Sequence, residues 1–211
     1  MLLKMAAILQ REAPVLRGKA EPVNPKDFGS PRLKKIIVQM VAALDKEEDG
    51  IAIAAPQIGV PLRIFVVSHR AFEFAAQEEG QSLEELHQNE VALATDAKNA
   101  KPKFTNLVFI NPVITKLSRK KHWAPEGCLS VRWLYGEVAR AEKATVRGFD
   151  EHGKSFTRGG SGLIAQVFQH ETDHLDGVLF IDKARNVEKI TQQEQRIREQ
   201  HTHKKSSTIR S

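Results

Sequence analysis

Residues 161–177 read SGLIAQVFQHETDHLDG, and this stretch decides the fold and indicates a chemistry. Apolar residues at helical spacing predict a helix over residues 161–175 that faces a core. Gly177 suits the end of that helix, because glycine readily adopts the left-handed conformation found at helix ends. The apolar residues that make this helix core-facing are Leu163, Ile164, Ala165, Val167 and Phe168.

Two histidines on this helix have the spacing of a metal-binding pair. His170 and His174 are four residues apart, so both imidazoles leave the same helix face one turn apart and can bind one ion. Glu171 is adjacent to the first histidine and can reach a water at that metal. A metal lowers the pKa of water from about 15.7 towards 7, and a nearby carboxylate can then take its proton. The competing interpretation, two surface histidines on a solvated helix, conflicts with the apolar residues that precede them.

A catalytic site of this kind needs at least one more protein ligand. In one large class of zinc proteases the motif continues through a glycine to a third histidine. Gly177 matches that glycine, but Phe180 stands at the histidine position. Another class uses a glutamate well downstream, and here Glu188 and Glu194 lie in a charged tail. Neither class fits the sequence well.

Cys128, the single cysteine of the chain, is the better candidate for the third ligand. One thiolate and two imidazoles leave a fourth position for water, the open arrangement of catalytic zinc sites. Gly127 permits a close backbone approach beside it. A lone cysteine is more often an inert buried thiol, but the histidine pair makes ligation the stronger hypothesis. Zinc and ferrous iron both suit this ligand set, and the sequence does not choose between them.

A second helix is predicted towards the N-terminus. Ser30 is a good N-cap, and Pro31 suits the first helical position. The apolar stripe that this helix would turn to the core consists of Leu33, Ile37, Met40 and Leu44.

Short apolar runs predict several strands. Residues 62–68 and 107–114 are rich in β-branched side chains, and Pro112 indicates a sheet edge or a break in the second run. Residues 144–158 predict a hairpin with a glycine in its turn. The glycine-rich residues 159–162 are expected to end this strand region.

The composition is that of a soluble globular chain. The 211 residues suffice for one domain of ordinary size, with 41% hydrophobic and 27% charged residues. No window approaches 18 consecutive apolar residues, so no membrane span is expected. The N-terminal residues match neither a signal peptide nor an Arg-rich transit peptide, and we expect a cytoplasmic protein. A disulfide within the chain is impossible with one cysteine.

Three segments together resemble the peptide deformylase family in order and spacing. They are GIAIAAPQ at residues 50–57, EGCLS at residues 126–130 and QHETDHLDG at residues 169–177. The likeness extends over residues 138–182 and, more loosely, over residues 8–23. The fold that it implies is α+β, with antiparallel β-sheets surrounding a central helix that carries the histidine pair.

The resemblance implies a hydrolase that removes the N-formyl group from formylmethionine of nascent polypeptides and releases formate. One divalent ion, typically ferrous iron with zinc, nickel or cobalt as substitutes, would be held by Cys128, His170 and His174. Glu171 would be the general base and then the acid. The Gln57 side-chain amide and the Leu129 backbone N–H would stabilise charge on the formyl oxygen, each worth about 3–4 kcal/mol in comparable oxyanion sites.

The resemblance also implies a substrate cleft with a slot for methionine. The residues expected to contact the substrate are Gly50, Ile51, Ala52, Ile53, Gly127, Leu163 and Val167. Glu126 and Arg140 are expected to pair behind the site and orient the cysteine loop. Two residues depart from the family pattern. Ala52 replaces a glycine where bound peptide passes close to the enzyme, and Arg132 stands where a proline is common.

The expected organisation is a catalytic domain over residues 1–182, in which residues 71–104 form a surface insertion, and a basic helix or tail over residues 183–211. The tail contains eight Lys or Arg and three Glu, and so carries most of the net charge of +6. In bacterial members of the family a C-terminal helix docks on the ribosome, a role that this tail suits. We expect a monomer.

Two rival functions remain. Another metal hydrolase, such as a peptidase, could use the same His170, Glu171 and His174, but it leaves Cys128 without a purpose. An inactive relative could bind nucleic acid or ribosomes through the tail, but all the catalytic residue types are present.

Overall fold

The computed structural model describes residues 6–79, 106–191 and 194. These residues form three α-helices and eight strands, so the predicted α+β class is confirmed. The helices are α1 (Pro31–Leu44), α2 (His69–Glu79) and α3 (Gly162–Leu175). The strands are β1 (Ala52–Ala54), β2 (Ile64–Val67), β3 (Leu107–Leu117), β4 (Lys121–Glu126), β5 (Leu134–Ala141), β6 (Lys143–Phe149), β7 (Ser155–Ser161) and β8 (Arg185–Lys189).

The strands form two antiparallel sheets around α3. One sheet has the order β1-β2-β3-β6-β7, and the other has the order β4-β5-β8. Phe168 of α3 packs against Phe65 of β2 and Phe109 of β3, with ring centroids 6.4 and 5.3 Å apart. All three phenylalanines are fully buried, so the helix is fixed against the larger sheet by its apolar face.

Helix α1 begins where the sequence predicts. The Ser30 hydroxyl accepts a hydrogen bond from the Leu33 backbone N–H at 3.2 Å, and Pro31 is the first helical residue. Of the predicted stripe, Ile37 is only partly buried, and the helix turns Ile36 to the core beside it.

The hairpin of β6 and β7 is confirmed, with Gly153 in its turn at φ +84°. The glycine-rich residues 159–162 do not end the strand region as expected, because Gly159 and Gly160 still pair with β6. A Cβ on Gly160 would lie 2.5 Å from the Ile164 side chain. Glycine therefore lets β7 continue directly beneath the start of α3.

Pro112 marks a break within β3 rather than a sheet edge. Strand β3 lies between β2 and β6, and its register with β6 shifts between Ile110 and Val113. Asn111 at this irregularity has φ +50°, and its side chain bonds both backbone groups of Val23. The bulge therefore accommodates a residue without an N–H.

Two expectations outside the core helix need correction. The expected surface insertion does not begin at residue 71, because α2 continues to residue 79 and buries Ala71, Phe72 and Ala76 in the core. Residues 80–105 lie outside the described residues. The beginning of the expected basic helix or tail is instead strand β8, which pairs with β5. The extended form supplies backbone bonds along β5 and buries Ile190, which sparse apolar positions on a helix could not achieve.

None of the helices in the described part of the chain combines the length and apolar character needed to cross a bilayer.

Candidate metal centre

Two separate elements bring three metal-ligating side chains together. His170 and His174 lie one turn apart on α3, and Cys128 comes from the loop between β4 and β5. Their ligand atoms all lie within 4.8 Å of one another. The Cys128 Sγ is 3.1 Å from His174 Nε2. The sequence-predicted triad is thus one cluster.

The cluster has the size that a divalent cation requires. Tetrahedral zinc holds sulfur at about 2.3 Å and nitrogen at about 2.0–2.1 Å, which places neighbouring ligand atoms about 3.5 Å apart. The thiolate is the ligand form of cysteine. Burial would raise the pKa of Cys128, but attraction to His174 and hydrogen bonds with His170 and His174 lower it to about 5. The residues present therefore fit a single metal ion.

Glu126 fixes the orientation of His170. Its Oε2 lies 3.0 Å from His170 Nδ1, which leaves the other ring nitrogen free to face Cys128. Arg140 donates two hydrogen bonds to Glu126 at 2.6 and 3.0 Å, so the predicted pairing of these residues is confirmed. Burial would raise the pKa of Glu126, yet hydrogen bonds with His170 and Arg140 lower it to about 2. The carboxylate is therefore ionised where it faces the imidazole.

The ion pairs continue from Arg140 along α3. Arg140 donates to Asp173 at 2.7 Å, and Lys183 donates to the second oxygen of Asp173 at 2.6 Å. Arg140 thus ties strand β5 both to the cysteine loop and to the helix of the histidines. Sequence reasoning did not identify Asp173 or Lys183, because only the folded arrangement brings them to Arg140.

Glu171 is a buried carboxyl beside the triad. It is 4% exposed, and its Oε2 has no hydrogen-bond partner among the described residues. Burial raises its pKa to about 7, although the positive charge of His170 and His174 opposes the rise. A carboxyl with a pKa near neutrality can both accept and return a proton.

Gln57 is held with its amide nitrogen towards the cysteine. It lies in the short 3-10 helix Ala55–Ile58 after β1, and its Oε1 accepts the Ala54 N–H at 2.7 Å. Its Nε2 therefore points to the Ser130 hydroxyl at 3.1 Å and to Cys128 Sγ at 3.7 Å. The side-chain amide of Gln57 is therefore held as a hydrogen-bond donor towards the cysteine, and Gln57 does more than close the loop after Pro56.

The backbone of the cysteine loop is also fixed. The Leu129 carbonyl accepts a hydrogen bond from Gln10 at 3.1 Å, and its side chain is buried with the α1 residues. A Cβ on Gly127 would lie 2.7 Å from the Tyr135 ring, so the turn needs glycine there. Both neighbours of Cys128 are therefore constrained.

A cleft of about 310 Å³ lies beside the triad. Most of the predicted substrate residues line it, namely Gly50, Ile51, Ala52, Gly127, Leu163 and Val167, as do Gln57, Cys128, Leu129, His170 and Glu171. Ile53, which was also predicted to contact the substrate, does not line the cleft. It is fully buried in the α1 cluster, because alternate residues of β1 face opposite sides.

The cleft has a further wall that sequence reasoning missed. Its residues are Asp49, Pro125, Arg132, Trp133, Leu134, Tyr135 and Gln166. Arg132 was the one available signal, since it departs from the family pattern. Trp133 after it has φ +66°, a conformation that a bulky side chain rarely adopts and that the sequence does not reveal.

The ligand sets of the rival proteases do not form. Phe180 is 1% exposed, and its ring packs near His170 at a centroid distance of 6.4 Å. Glu188 lies on the exposed strand β8. Within residues 6–79, 106–191 and 194, Cys128, His170 and His174 are the only group with metal-binding geometry.

A sequence profile described as "Polypeptide deformylase" matches residues 5–190. A peptide deformylase 1A of Arabidopsis thaliana, named as chloroplastic or mitochondrial, is 39% identical over 81% of this chain. The chain spans only 58% of the length of that plant protein. A peptide deformylase of Desulforudis audaxviator is 34% identical over 86% of this chain and 95% of its own length.

The fold is also that of solved peptide deformylases. A class I type b peptide deformylase from Acinetobacter baumannii, solved with bound Met-Ala-Ser, superposes with a TM-score of 0.65 at 27% identity. The match covers 84% of this chain and 98% of that one.

Proposed function

The chain belongs to the polypeptide deformylase family, and from this premise we propose that it removes the formyl group from the N-terminal methionine of nascent polypeptides. Water adds to the formyl carbon, and the bond from that carbon to the methionine nitrogen breaks. The products are formate and a peptide with a free amino group. The observation that carries the proposal is the convergence of Cys128, His170 and His174 beside Glu171, whose buried Oε2 has no hydrogen-bond partner among the described residues.

The three ligands would hold one divalent cation. Bound there, a cation supplies Lewis-acid polarisation of a carbonyl and lowers the pKa of water to about 7. We propose ferrous iron, with zinc, nickel or cobalt as substitutes, since a thiolate and two imidazoles suit each of them.

Glu171 moves the protons in this scheme. Its carboxylate takes a proton from the attacking water, and the resulting acid donates that proton to the departing nitrogen. The pKa of about 7 suits both steps, because neither protonation state is strongly disfavoured at neutral pH. The buried Oε2, which lacks a partner in the described chain, provides the position for the proton.

Gln57 and Leu129 would stabilise the charge that develops on the formyl oxygen. The Gln57 amide is fixed by the Ala54 N–H and the Ser130 hydroxyl, and the N–H that faces Cys128 Sγ would be its donor to the formyl oxygen. The Leu129 backbone N–H belongs to a loop anchored through its carbonyl by Gln10. Fixed donors of this kind stabilise a transition state more than mobile ones.

The methionine side chain would enter the apolar part of the cleft. Ile51, Leu163 and Val167 line the cleft together with Glu171 and would form a hydrophobic slot for the unbranched methionine side chain. The Acinetobacter baumannii relative was solved with Met-Ala-Ser, a peptide with free methionine of the kind that deformylation yields. We propose a product of the same type for this chain.

The direct test supplies formyl-Met-Ala-Ser to the protein loaded with ferrous iron without oxygen. We expect formate and intact Met-Ala-Ser in equal amounts, measured by a formate assay and mass spectrometry. Cleavage of the Met–Ala bond with retention of the formyl group would instead support a peptidase. Absence of both products from metal-loaded protein would contradict the proposed activity.

We further propose that the protein is a monomer, that it acts in the cytoplasm and that its basic tail contacts the ribosome. The relatives include a bacterial protein and a plant protein of chloroplasts or mitochondria. Bacterial cytoplasm, chloroplasts and mitochondria all synthesise formylated proteins. The tail beyond residue 191 lies outside the described residues, apart from Glu194.

A further inference from the structure

A short loop forms one lip of the cleft. We define this lip as residues 45–51, which connect α1 to β1. Asp49, Gly50 and Ile51 of the lip line the cleft. Within the lip, the Gly50 N–H donates to the Glu47 carbonyl at 3.1 Å. Side chains from other elements also hold the lip.

Arg70 of α2 holds this lip through backbone carbonyls. Its guanidinium donates to the Leu44 carbonyl at 3.0 Å and to the Glu47 carbonyl at 2.9 Å, with a longer contact of 3.4 Å to Glu48. Leu44 is the last residue of α1, where a cation also interacts favourably with the helix dipole. One side chain therefore satisfies carbonyls at the helix end and in the lip.

The base of Arg70 is anchored in the core. The next residues of α2, Ala71 and Phe72, are buried in the cluster that also contains Val167 and Phe168 of α3. Ser68 just before α2 donates its backbone N–H to the Ile51 carbonyl at 2.8 Å. These contacts thus connect the lip to the helix that carries the histidines.

A second arginine, Arg132, also holds the lip. Arg132, on the loop after Cys128, donates to Glu47 at 2.5 Å and to Asp49 at 2.6 Å. Burial would lower the pKa of Arg132, but hydrogen bonds and attraction from Asp49 and Glu47 raise it. Arg132 binds the lip through carboxylates, whereas Arg70 binds it through carbonyls.

We propose that Arg70 is a positioning residue for substrate binding, which fixes the lip of the cleft so that its Glu47 and Asp49 side chains can bind Arg132. Arg70 does not line the cleft, and it reaches the lip through the backbone carbonyls of Glu47 and Glu48. The inference rests on the proposed deformylase function, since the cleft that it shapes is the substrate site. Loss of Arg70 would leave the ligand triad and Glu171 intact. The lip would then become ordered only when the peptide binds.

The test compares Arg70→Ala and Arg70→Lys with the unaltered protein, all loaded with metal. For formyl-Met-Ala-Ser we expect Arg70→Ala to raise KM about tenfold, because lip ordering is moved into the binding step, with little change in kcat. Arg70→Lys keeps the charge but lacks the fork that reaches two carbonyls, so we expect an intermediate KM. Metal content should stay equal among the three proteins.

Amide hydrogen exchange provides a readout that does not depend on activity. In Arg70→Ala we expect faster exchange in peptides covering the lip, and unchanged exchange in α3. The matched control is Arg63→Ala, which removes an arginine bonded to the Leu175 carbonyl at the end of α3 and to Asp176. This control should lower thermal stability and leave both KM and lip exchange unchanged.

The outcomes separate the two proposals. If the unaltered protein releases no formate while lip exchange still responds to Arg70→Ala, the proposed function fails and the positioning role stands. If lip exchange and KM are the same with and without Arg70, or if Arg63→Ala raises KM equally, the positioning role is refuted. Should Arg70→Ala fail to fold, Arg70→Lys alone decides between these outcomes by the same two measurements.

Discussion

Glu126 and Arg140 face each other through two hydrogen bonds of 2.6 and 3.0 Å, with side chains only 2% and 4% exposed. Glu126 in turn faces His170, and Arg140 reaches Asp173 beside the second histidine. The pair therefore joins the cysteine loop, the ligand helix and strand β5 at one buried point. Removal of Glu126 would leave Arg140 with Asp173 alone, and removal of Arg140 would leave Glu126 with only His170 as a partner.

We expect Arg140→Met to lower the free energy of unfolding by about 3–5 kcal/mol, because it leaves Glu126 and Asp173 without their buried partner. Urea denaturation followed by circular dichroism measures the change. Lys120→Met is the control, since Lys120 pairs with Glu142 at the surface with its side chain 78% exposed, and it should change stability by no more than about 1 kcal/mol. Equal effects of the two substitutions would contradict a structural role for the buried pair.

We expect Glu171→Gln to lower kcat for formyl-Met-Ala-Ser by about 10²–10⁴-fold, because glutamine cannot carry the proton. The metal content should not change, since the three ligands remain. Steady-state kinetics and elemental analysis of the same samples give both values. Glu142→Gln changes a surface carboxyl in the same way and should retain full activity. Loss of the metal in Glu171→Gln would show that Glu171 acts on the site in another way.

Removal of the metal should destabilise the folded protein. A ligand present at about 1,000 times its Kd stabilises the native state by about 4 kcal/mol, so we expect chelation to lower Tm by about 10 °C for a chain of this size. In Cys128→Ala the Tm should no longer respond to added metal. Thermal scans with and without chelator test both statements. A full metal response in Cys128→Ala would exclude the thiolate as a ligand.

Truncation after Thr191 should separate activity from ribosome binding. It keeps β8 and the buried Ile190, so activity on free peptides should not change. It removes five Lys or Arg and two Glu, and the affinity for ribosomes should fall and lose part of its dependence on salt. Co-sedimentation at several salt concentrations measures this. The full chain with those five cations replaced by glutamine should behave like the truncated one. Unchanged binding by either protein would argue against a role for the tail.

The sequence predicted the parts of the site whose residues lie close together along the chain or follow from the chemistry of those residues. His170 and His174 needed only a helix to meet, and Cys128 followed from the need for a third ligand. Arg70 and Lys183 could not be found in this way. Their partners lie 22–26 and 10 residues away, respectively, and the only signal in the sequence is a charge that most often lies on a solvated surface.

The errors in the fold have one physical origin. Residues 71–104 are polar and acidic as a whole although the part inside α2 is rich in Ala and Phe, and strand β8 has one apolar residue in five. The average character of these segments predicts a surface loop and a basic helix or tail. In α2 three buried side chains suffice to fix the helix, and β8 is held largely by backbone bonds to β5. Tertiary contacts thus decide the conformation where the local pattern is weak.

The sulfur of the ligand triad is delivered by the smaller sheet, whereas both imidazoles come from the helix packed on the larger one. A bound cation would therefore act as a further cross-link between the two layers, in addition to the chain connection from β5 to β6 and the hydrogen bonds from Gln166 and Gln169 of α3 to the smaller sheet. Uptake of the ion should make the separation of these layers a single cooperative event. Resistance to proteolysis would then increase with the supply of metal. A shortage of the ion would shorten the lifetime of the protein as well as abolish its activity.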